Sequence, residues 1–206
     1  MSLLEQIHGG YVYNRRVRVL SEQLAPLLPP NSRVLDVGCG DGLISRLIMD
    51  QRPDVEIRGI DILIRPQTHI PVQPFNGETI PQGDASFDAV LFVDVLHHTR
   101  DPKIVLSEAA RVARQCVLIK DHNRDGLLAG PTLRFMDWVG NARHGVVLPY
   151  NYWPARRWTE TFASLGLVPV SMKTRLRLYP WPATWVFERK LHFLAKLEKK
   201  SVPHVI

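Results

Sequence analysis

Cysteine is scarce in this chain of 206 residues, which contains only Cys39 and Cys116. One lies in a glycine-rich segment and the other opens an apolar run, so a disulfide framework is disfavoured. No run of about 18 apolar residues occurs, and the N-terminus lacks the basic-then-apolar order of a secretory signal. These absences predict a cytoplasmic protein without a membrane-spanning helix, and the length predicts a single domain over residues 1–206.

Several motif classes are missing as well. The chain has no internal repeat, no G-x-S-x-G nucleophile motif and no Walker phosphate-binding loop. No group of Cys and His residues has the spacing of metal ligands, so the sequence predicts no metal site.

Positive charge is concentrated in the last two fifths of the chain. Residues 1–122 carry a net charge of −2 and residues 123–206 carry +8, which together give the formal +6. Such a basic segment favours an anionic small molecule, an acidic protein partner or a membrane surface. A solvated basic surface without a partner explains the same charge equally well.

Apolar runs alternate with helix-like segments between residues 33 and 121. Strand patterns occupy 33–37, 55–62, 86–96 and 115–121, and helix patterns occupy 12–27, 43–51, 101–113 and 153–166. Residues 167–178 and 191–199 are expected to form a final strand pair, although the second run fits a helix equally well. The alternation predicts an α/β fold with a doubly wound, mostly parallel sheet and helices on both faces.

Residues 123–150 show no clear period. A long irregular stretch inside a compact domain is usually functional, so we expect a lid or substrate segment at about 123–153. Its aromatic residues suit a mostly apolar ligand, although a hydrophobic cover on the sheet edge is the alternative. Polar candidates in this segment are Asp137, Asn141, Arg143 and His144, and Trp181 and Trp185 are candidates for the far wall.

The segment "VLDVGCGDG" places three glycines directly after the first predicted strand. In open α/β sheets, ligands bind outside the carboxyl ends of the strands, and glycines there let backbone N–H groups approach closely. Gly38, Gly40 and Gly42 follow a G-x-G-x-G order, whereas dinucleotide-binding folds use G-x-G-x-x-G. Asp36 and Asp41 would repel a pyrophosphate, so the loop favours a small ligand with a cationic end.

Two further segments extend this predicted site. Asp61 ends the second predicted strand, where a carboxylate can accept hydrogen bonds from ribose hydroxyls. Asn76 and Gly77 precede the third, and a short polar side chain beside a free backbone N–H suits an adenine edge. The sequence therefore predicts a nucleoside-containing ligand.

Together, "VLDVGCGDG", "GIDI", "SFDAVLFVDVLHH" and "CVLIK" resemble the class I S-adenosylmethionine-dependent methyltransferases, in particular the small-molecule, quinone-methyltransferase-like group. The resemblance covers about residues 30–122. It implies a seven-stranded Rossmann-like sheet whose last strand is antiparallel, with S-adenosyl-L-methionine as cofactor. It also implies that Asp36, Gly38 and Gly40 line the methionine end, that Asp61 binds the ribose and that Ile62 lies against the adenine.

The chain departs from the family pattern at two places. Asn76 stands where the family commonly has Asp, and we expect its side chain to accept from the adenine amino group. The Pro-Gly-Gly turn that often follows the fourth helix is missing from "RVARQC", and we expect only a local consequence.

Candidate catalytic residues follow two strands of the predicted sheet. His97 and His98 come after the third strand, and His122 follows Asp121 at the end of the fourth. Any of these histidines could be the general base that removes a proton from a substrate hydroxyl. Structural packing or capping is the alternative for each, and Asp94 could orient the methionine part or the substrate.

The predicted function is methyl transfer from S-adenosylmethionine to a small or lipid-like acceptor. The basic segment suggests an anionic handle on that acceptor or an acidic carrier protein; the arginines that could meet it are Arg134, Arg143, Arg156 and Arg157. The alternatives are a non-catalytic or membrane-surface S-adenosylmethionine-binding protein and, less favoured, a dinucleotide-dependent oxidoreductase. Nucleic acid is disfavoured, because the N-P-P-Y-type tetrapeptide of base-methylating relatives is absent.

Overall fold

Seven strands and six helices make up the part of the chain that the computed structural model describes, residues 3–141 and 149–200. The strands are β1 (Arg33–Val37), β2 (Glu56–Asp61), β3 (Val72–Pro74), β4 (Phe87–Val93), β5 (Ala113–His122), β6 (Leu167–Lys173) and β7 (His192–Lys199). The helices are α1 (Leu3–Leu24), α2 (Leu43–Gln51), α3 (Pro102–Val112), α4 (Ala129–Asn141), α5 (Ala155–Ser164) and α6 (Thr184–Phe187).

All seven strands form one sheet in the order β3-β2-β1-β4-β5-β7-β6. The strands from β3 to β5 pair in parallel, and β7 is antiparallel to both β5 and β6. The predicted seven-stranded, mostly parallel sheet with an antiparallel last strand is therefore confirmed. Strand order reverses between β1 and β4, so the carboxyl ends of these strands border the crevice in which such sheets bind ligands.

Apolar cores fill both faces of the sheet, as the doubly wound architecture requires. On one face, α3 and α5 bury side chains such as Leu106 and Phe162 against the central strands. On the other face, α1 and α2 bury Leu20, Leu24 and Ile48. The strands in the middle are apolar on both sides because each side is covered by helices.

Helix α4 corrects the expectation of an irregular lid at residues 123–153. Its buried positions are Ala129, Leu133 and Asp137, spaced four residues apart on one side of the helix. The apolar period is hidden because a carboxylate occupies one inward position, while Phe135 and Trp138 face outward. Arg143 and His144 lie outside the described residues.

Other boundaries differ in smaller ways. The three-residue strand β3 has no counterpart in the sequence prediction, since Gln73 and Pro74 are exposed and form no apolar run. Helix α3 is capped by Asp101, whose carboxylate accepts from the Lys103 backbone N–H. Without a Pro-Gly-Gly turn, α3 passes directly into β5, and the consequence is local as expected.

Among the described residues, none of the helices combines the length and the apolar character needed to cross a bilayer.

Replacing Phe162 with Ala is expected to lower the free energy of unfolding by about 3–5 kcal/mol, the usual cost of a large cavity. Phe162 is fully buried and stacks near Trp158 beneath the sheet. Chemical denaturation measures the change, with Thr159→Ala on the exposed side of the same helix as the control. Equal stability of the two variants would contradict the assignment of α5 to this core.

Candidate functional site

The three glycines after β1 serve different purposes. A Cβ on Gly38 would lie 2.6 Å from the Val95 side chain, and one on Gly42 would lie 2.4 Å from Ile70, so close packing requires both glycines. Gly40 has φ +60°, and a Cβ there would meet no described atom within 4 Å. The loop therefore turns its backbone at Gly40 toward open space, as expected for a cofactor floor.

Asp36 lies buried beneath this loop, at the carboxyl end of β1. Its Oδ2 accepts a hydrogen bond of 2.6 Å from the Ser45 hydroxyl on α2. Burial is the main cause that raises the pKa of Asp36 to about 7, with a further contribution from the charge of Asp61. The folded protein thus holds an acid here that titrates near neutral pH.

Asp61 joins the end of β2 to the glycine loop. Its Oδ2 accepts from the Gly40 N–H at 2.7 Å, and its Oδ1 accepts from the Leu63 N–H at 2.8 Å. Each carboxylate oxygen can accept a second hydrogen bond, so ribose hydroxyls can still be bound. Ile62 beside it is 67% exposed and lies next to Gly77, which gives a small apolar surface at the predicted adenine position.

The Asn76 side chain is engaged within its own loop. Its Oδ1 accepts from the backbone N–H groups of Glu78 (2.9 Å) and Thr79 (2.8 Å). A carbonyl oxygen has two lone pairs, and both are used in this turn. This oxygen therefore holds the loop, and a contact between the Asn76 side chain and an adenine stays a prediction.

Asp94 forms ion pairs with two basic side chains. Its Oδ2 pairs with Arg16 of α1 and its Oδ1 pairs with the fully buried Lys120 of β5. Burial alone would raise the pKa of Asp94, but Arg16 and Lys120 outweigh burial and hold it well below its ordinary value. Because the two basic side chains balance its charge, the Asp94 carboxylate attracts a cationic ligand only weakly. Sequence reasoning missed both partners, which come from distant elements.

His97 is buried between two carboxylates. Its Nδ1 lies 2.7 Å from Oδ1 of Asp121, and its Nε2 lies 3.6 Å from Oδ1 of Asp137. Burial lowers the pKa of His97, but the two aspartates outweigh it and raise the pKa to about 9. A raised pKa keeps the proton on His97 when no cation is bound, which disfavours His97 as a general base in the metal-free protein.

His98 and His122 differ from His97. His98 keeps 19% of its side chain exposed, and its Nε2 lies 3.5 Å from Oδ1 of Asp137. Burial and the charge of His97 lower the pKa of His98. For His122, burial and then Lys120 lower the pKa to about 4.

Asp121 contacts both His122 and His97, and the contact with the His122 ring is the longer of the two. The His122 Nδ1 lies 3.4 Å from Oδ1 of Asp121, compared with 2.7 Å for the His97 Nδ1.

His97, His98, Asp121 and His122 form a histidine–aspartate cluster, and two further residues belong to it. Neither was predicted from the sequence to contact these histidines. Asp137 projects from α4, and its Oδ2 lies 2.8 Å from the hydroxyl of Tyr152. The Tyr152 ring stacks on His97 with 5.2 Å between centroids. The available signal was the four-residue spacing of Ala129, Leu133 and Asp137, which places an acid on the buried side of a helix.

Ligand-type side chains converge at two places although the sequence showed no metal-ligand spacing. His97, Asp121 and His122 form one group, and His97, His98 and Asp137 form the other. In each group the candidate ligand atoms lie within 4.8 Å of one another.

A cavity of about 370 Å³ adjoins this cluster; it is lined by Arg124, Gly130, Pro131, Arg134, Tyr150 and Tyr152. The Arg134 guanidinium lies 5.6 Å from the centre of the Tyr150 ring. The cavity thus combines two cations with two aromatic rings.

Other predicted substrate contacts lie elsewhere. Arg156 pairs with Glu160 at 2.7 Å, and Arg157 lies over the Trp153 ring at 4.1 Å. Trp181 and Trp185 are about three-quarters exposed, so they lie on the outer surface and do not form an enclosing wall.

The sequence is similar to that of known proteins. Residues 10–172 match the family described as "Methyltransferase domain". The chain is 30% identical over 131 residues to 27-O-demethylrifamycin SV methyltransferase of Amycolatopsis mediterranei, covering 53% of this chain and 48% of that protein. It is 32% identical over 97 residues to the ubiquinone biosynthesis O-methyltransferase of Hahella chejuensis, covering 41% and 40%. The matches thus span half or less of these curated relatives.

Solved structures agree in fold. An S-adenosylmethionine-dependent methyltransferase from Mesorhizobium loti superposes with a TM-score of 0.64 at 15% identity, covering 86% of this chain and 96% of that one.

Binding of S-adenosylmethionine, the cofactor that the sequence resemblance implies, is expected to strengthen as pH rises toward 7. With a pKa of about 7, Asp36 is protonated in acid, and a cationic ligand group must expel that proton. Affinity should therefore rise up to tenfold per pH unit between about pH 5.5 and 7, and then level off.

Calorimetry in buffers of different ionisation enthalpy detects the proton released on binding. Asp36→Asn is the control, because it cannot ionise and should bind weakly at every pH. A wild-type affinity that is constant over this range would place the ligand's positive charge away from Asp36.

Proposed function

Because the chain belongs to the methyltransferase domain family, we propose that it transfers the methyl group of S-adenosylmethionine to an oxygen of a small or lipid-like acceptor. The observation that carries the proposal is that two groups of residues, a cofactor half-site and an acceptor half-site, lie at one edge of the sheet. The open backbone at Gly40 lies on one side of the strand-order reversal, and the histidine–aspartate cluster lies on the other. An oxygen acceptor agrees with the names of both relatives described above.

In the cofactor half-site, each residue has one proposed role. Asp36 binds the ammonium of the methionine end, the Gly38–Gly40 backbone approaches the methionine, and Asp61 accepts from the ribose. Ile62 and the backbone of Gly77 hold the adenine, while Asn76 shapes the loop that presents it. A dinucleotide is a poor alternative, since Gly38, Gly40 and Gly42 lack the G-x-G-x-x-G spacing and Asp36 and Asp41 would repel a pyrophosphate.

The acceptor half-site positions a nucleophile and removes its proton. The acceptor oxygen attacks the methyl carbon, the carbon–sulfur bond breaks, and its electron pair remains on the sulfur of S-adenosylhomocysteine. The hydroxyl proton leaves through the cluster, in which His98 is the most exposed imidazole. The methyl group is already electrophilic, so alignment and exclusion of water contribute most of the acceleration.

The acceptor's chemistry follows from the adjoining surface. Arg124 and Arg134 in the cavity suit a carboxylate or phosphate handle, which arginine binds with two parallel hydrogen bonds. Phe135 and Trp138 on α4 are more than half exposed and suit an apolar body. An acidic carrier protein or a membrane surface could present such a molecule, and a cytoplasmic location remains a prediction.

Activity is tested by incubating the protein with methyl-labelled S-adenosylmethionine and a panel of phenols and quinols, each with and without a carboxylate. Label transfer to oxygen together with formation of S-adenosylhomocysteine supports the proposal. Cofactor binding without transfer to any hydroxylated acceptor would favour the non-catalytic alternative.

Gly40→Val is expected to abolish binding of S-adenosylhomocysteine while the circular dichroism spectrum stays that of the folded protein. The new side chain would enter the open space and would also have to adopt φ +60°. Gly83→Val is the matched control, because a Cβ at Gly83 likewise meets no described atom within 4 Å but lies away from the loop. A folded Gly40→Val variant with wild-type affinity would remove Gly40 from the cofactor site.

Arg134→Gln is expected to raise the KM for an anionic acceptor roughly tenfold or more, as for loss of a hydrogen bond to a charged group. The KM for the uncharged analogue and the affinity for cofactor should change little. Arg156→Gln is the control, since Arg156 is exposed and already paired with Glu160. An acceptor KM that responds equally to both variants, or to neither, would argue against a handle in this cavity.

A further inference from the structure

His97, His98 and Asp137 place three ligand atoms at distances that hydrogen bonding does not explain well. The Asp137 Oδ1 lies 3.6 Å from Nε2 of His97 and 3.5 Å from Nε2 of His98. N–H···O hydrogen bonds are normally about 2.7–3.2 Å long. Ligands of a tetrahedral ion with bonds of about 2.0–2.1 Å lie about 3.4 Å apart, close to the separations found here.

His97 is held as a metal-binding histidine usually is. Its Nδ1 is tied to Asp121 at 2.7 Å, which fixes the ring and directs Nε2 toward Asp137. That Nε2 is buried and has no hydrogen-bond partner within the described part of the chain. A histidine that bonds a carboxylate through one nitrogen and exposes the other to a cation is the common arrangement around protein-bound metals.

Asp137 is supported in the same manner. Tyr152 lies 2.8 Å from its Oδ2, so one carboxylate oxygen is oriented while Oδ1 faces the two imidazoles. The neighbouring group around His122 is less suitable. Oδ1 of Asp121 already receives the His97 ring nitrogen and the His122 backbone N–H at 2.7 and 2.8 Å, which makes it an orienting group.

We propose that His97 Nε2, His98 Nε2 and Asp137 Oδ1 bind one divalent first-row transition-metal ion. Two imidazoles and one carboxylate suit Zn²⁺, Co²⁺ or Fe²⁺ and do not suit Mg²⁺, which prefers oxygen ligands. With neutral histidines, the charges of Asp121 and Asp137 balance the ion. Three protein ligands leave at least one coordination position open, as in catalytic metal sites.

Only the use of the ion rests on the proposed function. A bound cation would take the acceptor oxygen as a further ligand and lower the pKa of its hydroxyl, which is one way for the cluster to release the proton. Metal binding itself requires no acceptor and no cofactor, so it is measured without them. The rival interpretation is a proton-bridged cluster with a charged His97 between two aspartates.

The test is titration of chelator-treated protein with Co²⁺ under anaerobic conditions, followed by equilibrium dialysis with Zn²⁺. One equivalent per chain and the visible absorption of four- or five-coordinate Co²⁺ are expected. His98→Ala and Asp137→Asn should lose this absorption, and Asp121→Asn should weaken affinity roughly 10–100-fold through the misoriented His97. His69→Ala is the control: His69 is exposed, lies outside the cluster and should not matter.

Circular dichroism checks that each variant is folded. Absence of stoichiometric binding to the wild-type protein would overturn the proposal, as would unchanged binding in both His98→Ala and Asp137→Asn. Binding that persists in those variants but disappears in Cys39→Ser would place the ion on a thiol and would also overturn it. Methyl transfer by metal-free protein would support the proposed function without the ion. Metal binding without methyl transfer would support the metal site without the proposed function.

Discussion

The buried carboxylate of Asp121 fixes the positions of the functional side chains at the ends of β4 and β5. It is fully buried and accepts from the Leu96 backbone N–H (2.9 Å), the His97 ring (2.7 Å) and its neighbour's backbone N–H (2.8 Å). Burial raises the pKa of Asp121, but positive charge at His97 and the side-chain hydrogen bonds with His122 and His97 outweigh burial and lower that pKa. An ion without water needs such donors. Because two of these donors, Leu96 and His97, lie in the turn after β4, the carboxylate fixes that turn against β5 and thereby orients His97.

A second ionic cluster closes the same edge from the other face. Lys120 has no solvent contact, and it tolerates burial because Asp94 pairs with it and with Arg16. That arrangement fastens α1 over the end of the sheet. Among the residues that the structure describes, no basic side chain forms an ion pair with Asp36 or Asp61, on the β1 and β2 side. Acidic groups without a described counterion therefore lie where a cationic cofactor end is proposed to bind, which separates the cofactor side from the acceptor side.

Sequence reasoning predicted the sheet well because its central strands are buried on both faces and form plain apolar runs. It missed β3, in which two of the three residues are exposed, and could not decide between helix and strand for β7, whose first four residues are all buried. Strand-end residues were predictable because parallel strands bring their carboxyl ends to one edge. Asp137 was not assigned to His97, since that pairing depends on a helix whose period is masked by the same aspartate. The turn in which the Asn76 oxygen accepts two backbone N–H groups was not foreseen, because it depends on the local backbone conformation.

Tyr152 connects the two parts of the acceptor side. Its hydroxyl orients Asp137, its ring stacks on His97, and it also lines the cavity that contains Arg134. A molecule whose anionic group occupies that cavity would therefore contact Tyr152, the residue that positions the histidine–aspartate cluster. Handle recognition and chemistry at the reacting oxygen are then coupled through one side chain. The proposed acceptors are therefore molecules whose hydroxyl and anionic group can reach the two sides of the Tyr152 ring at the same time.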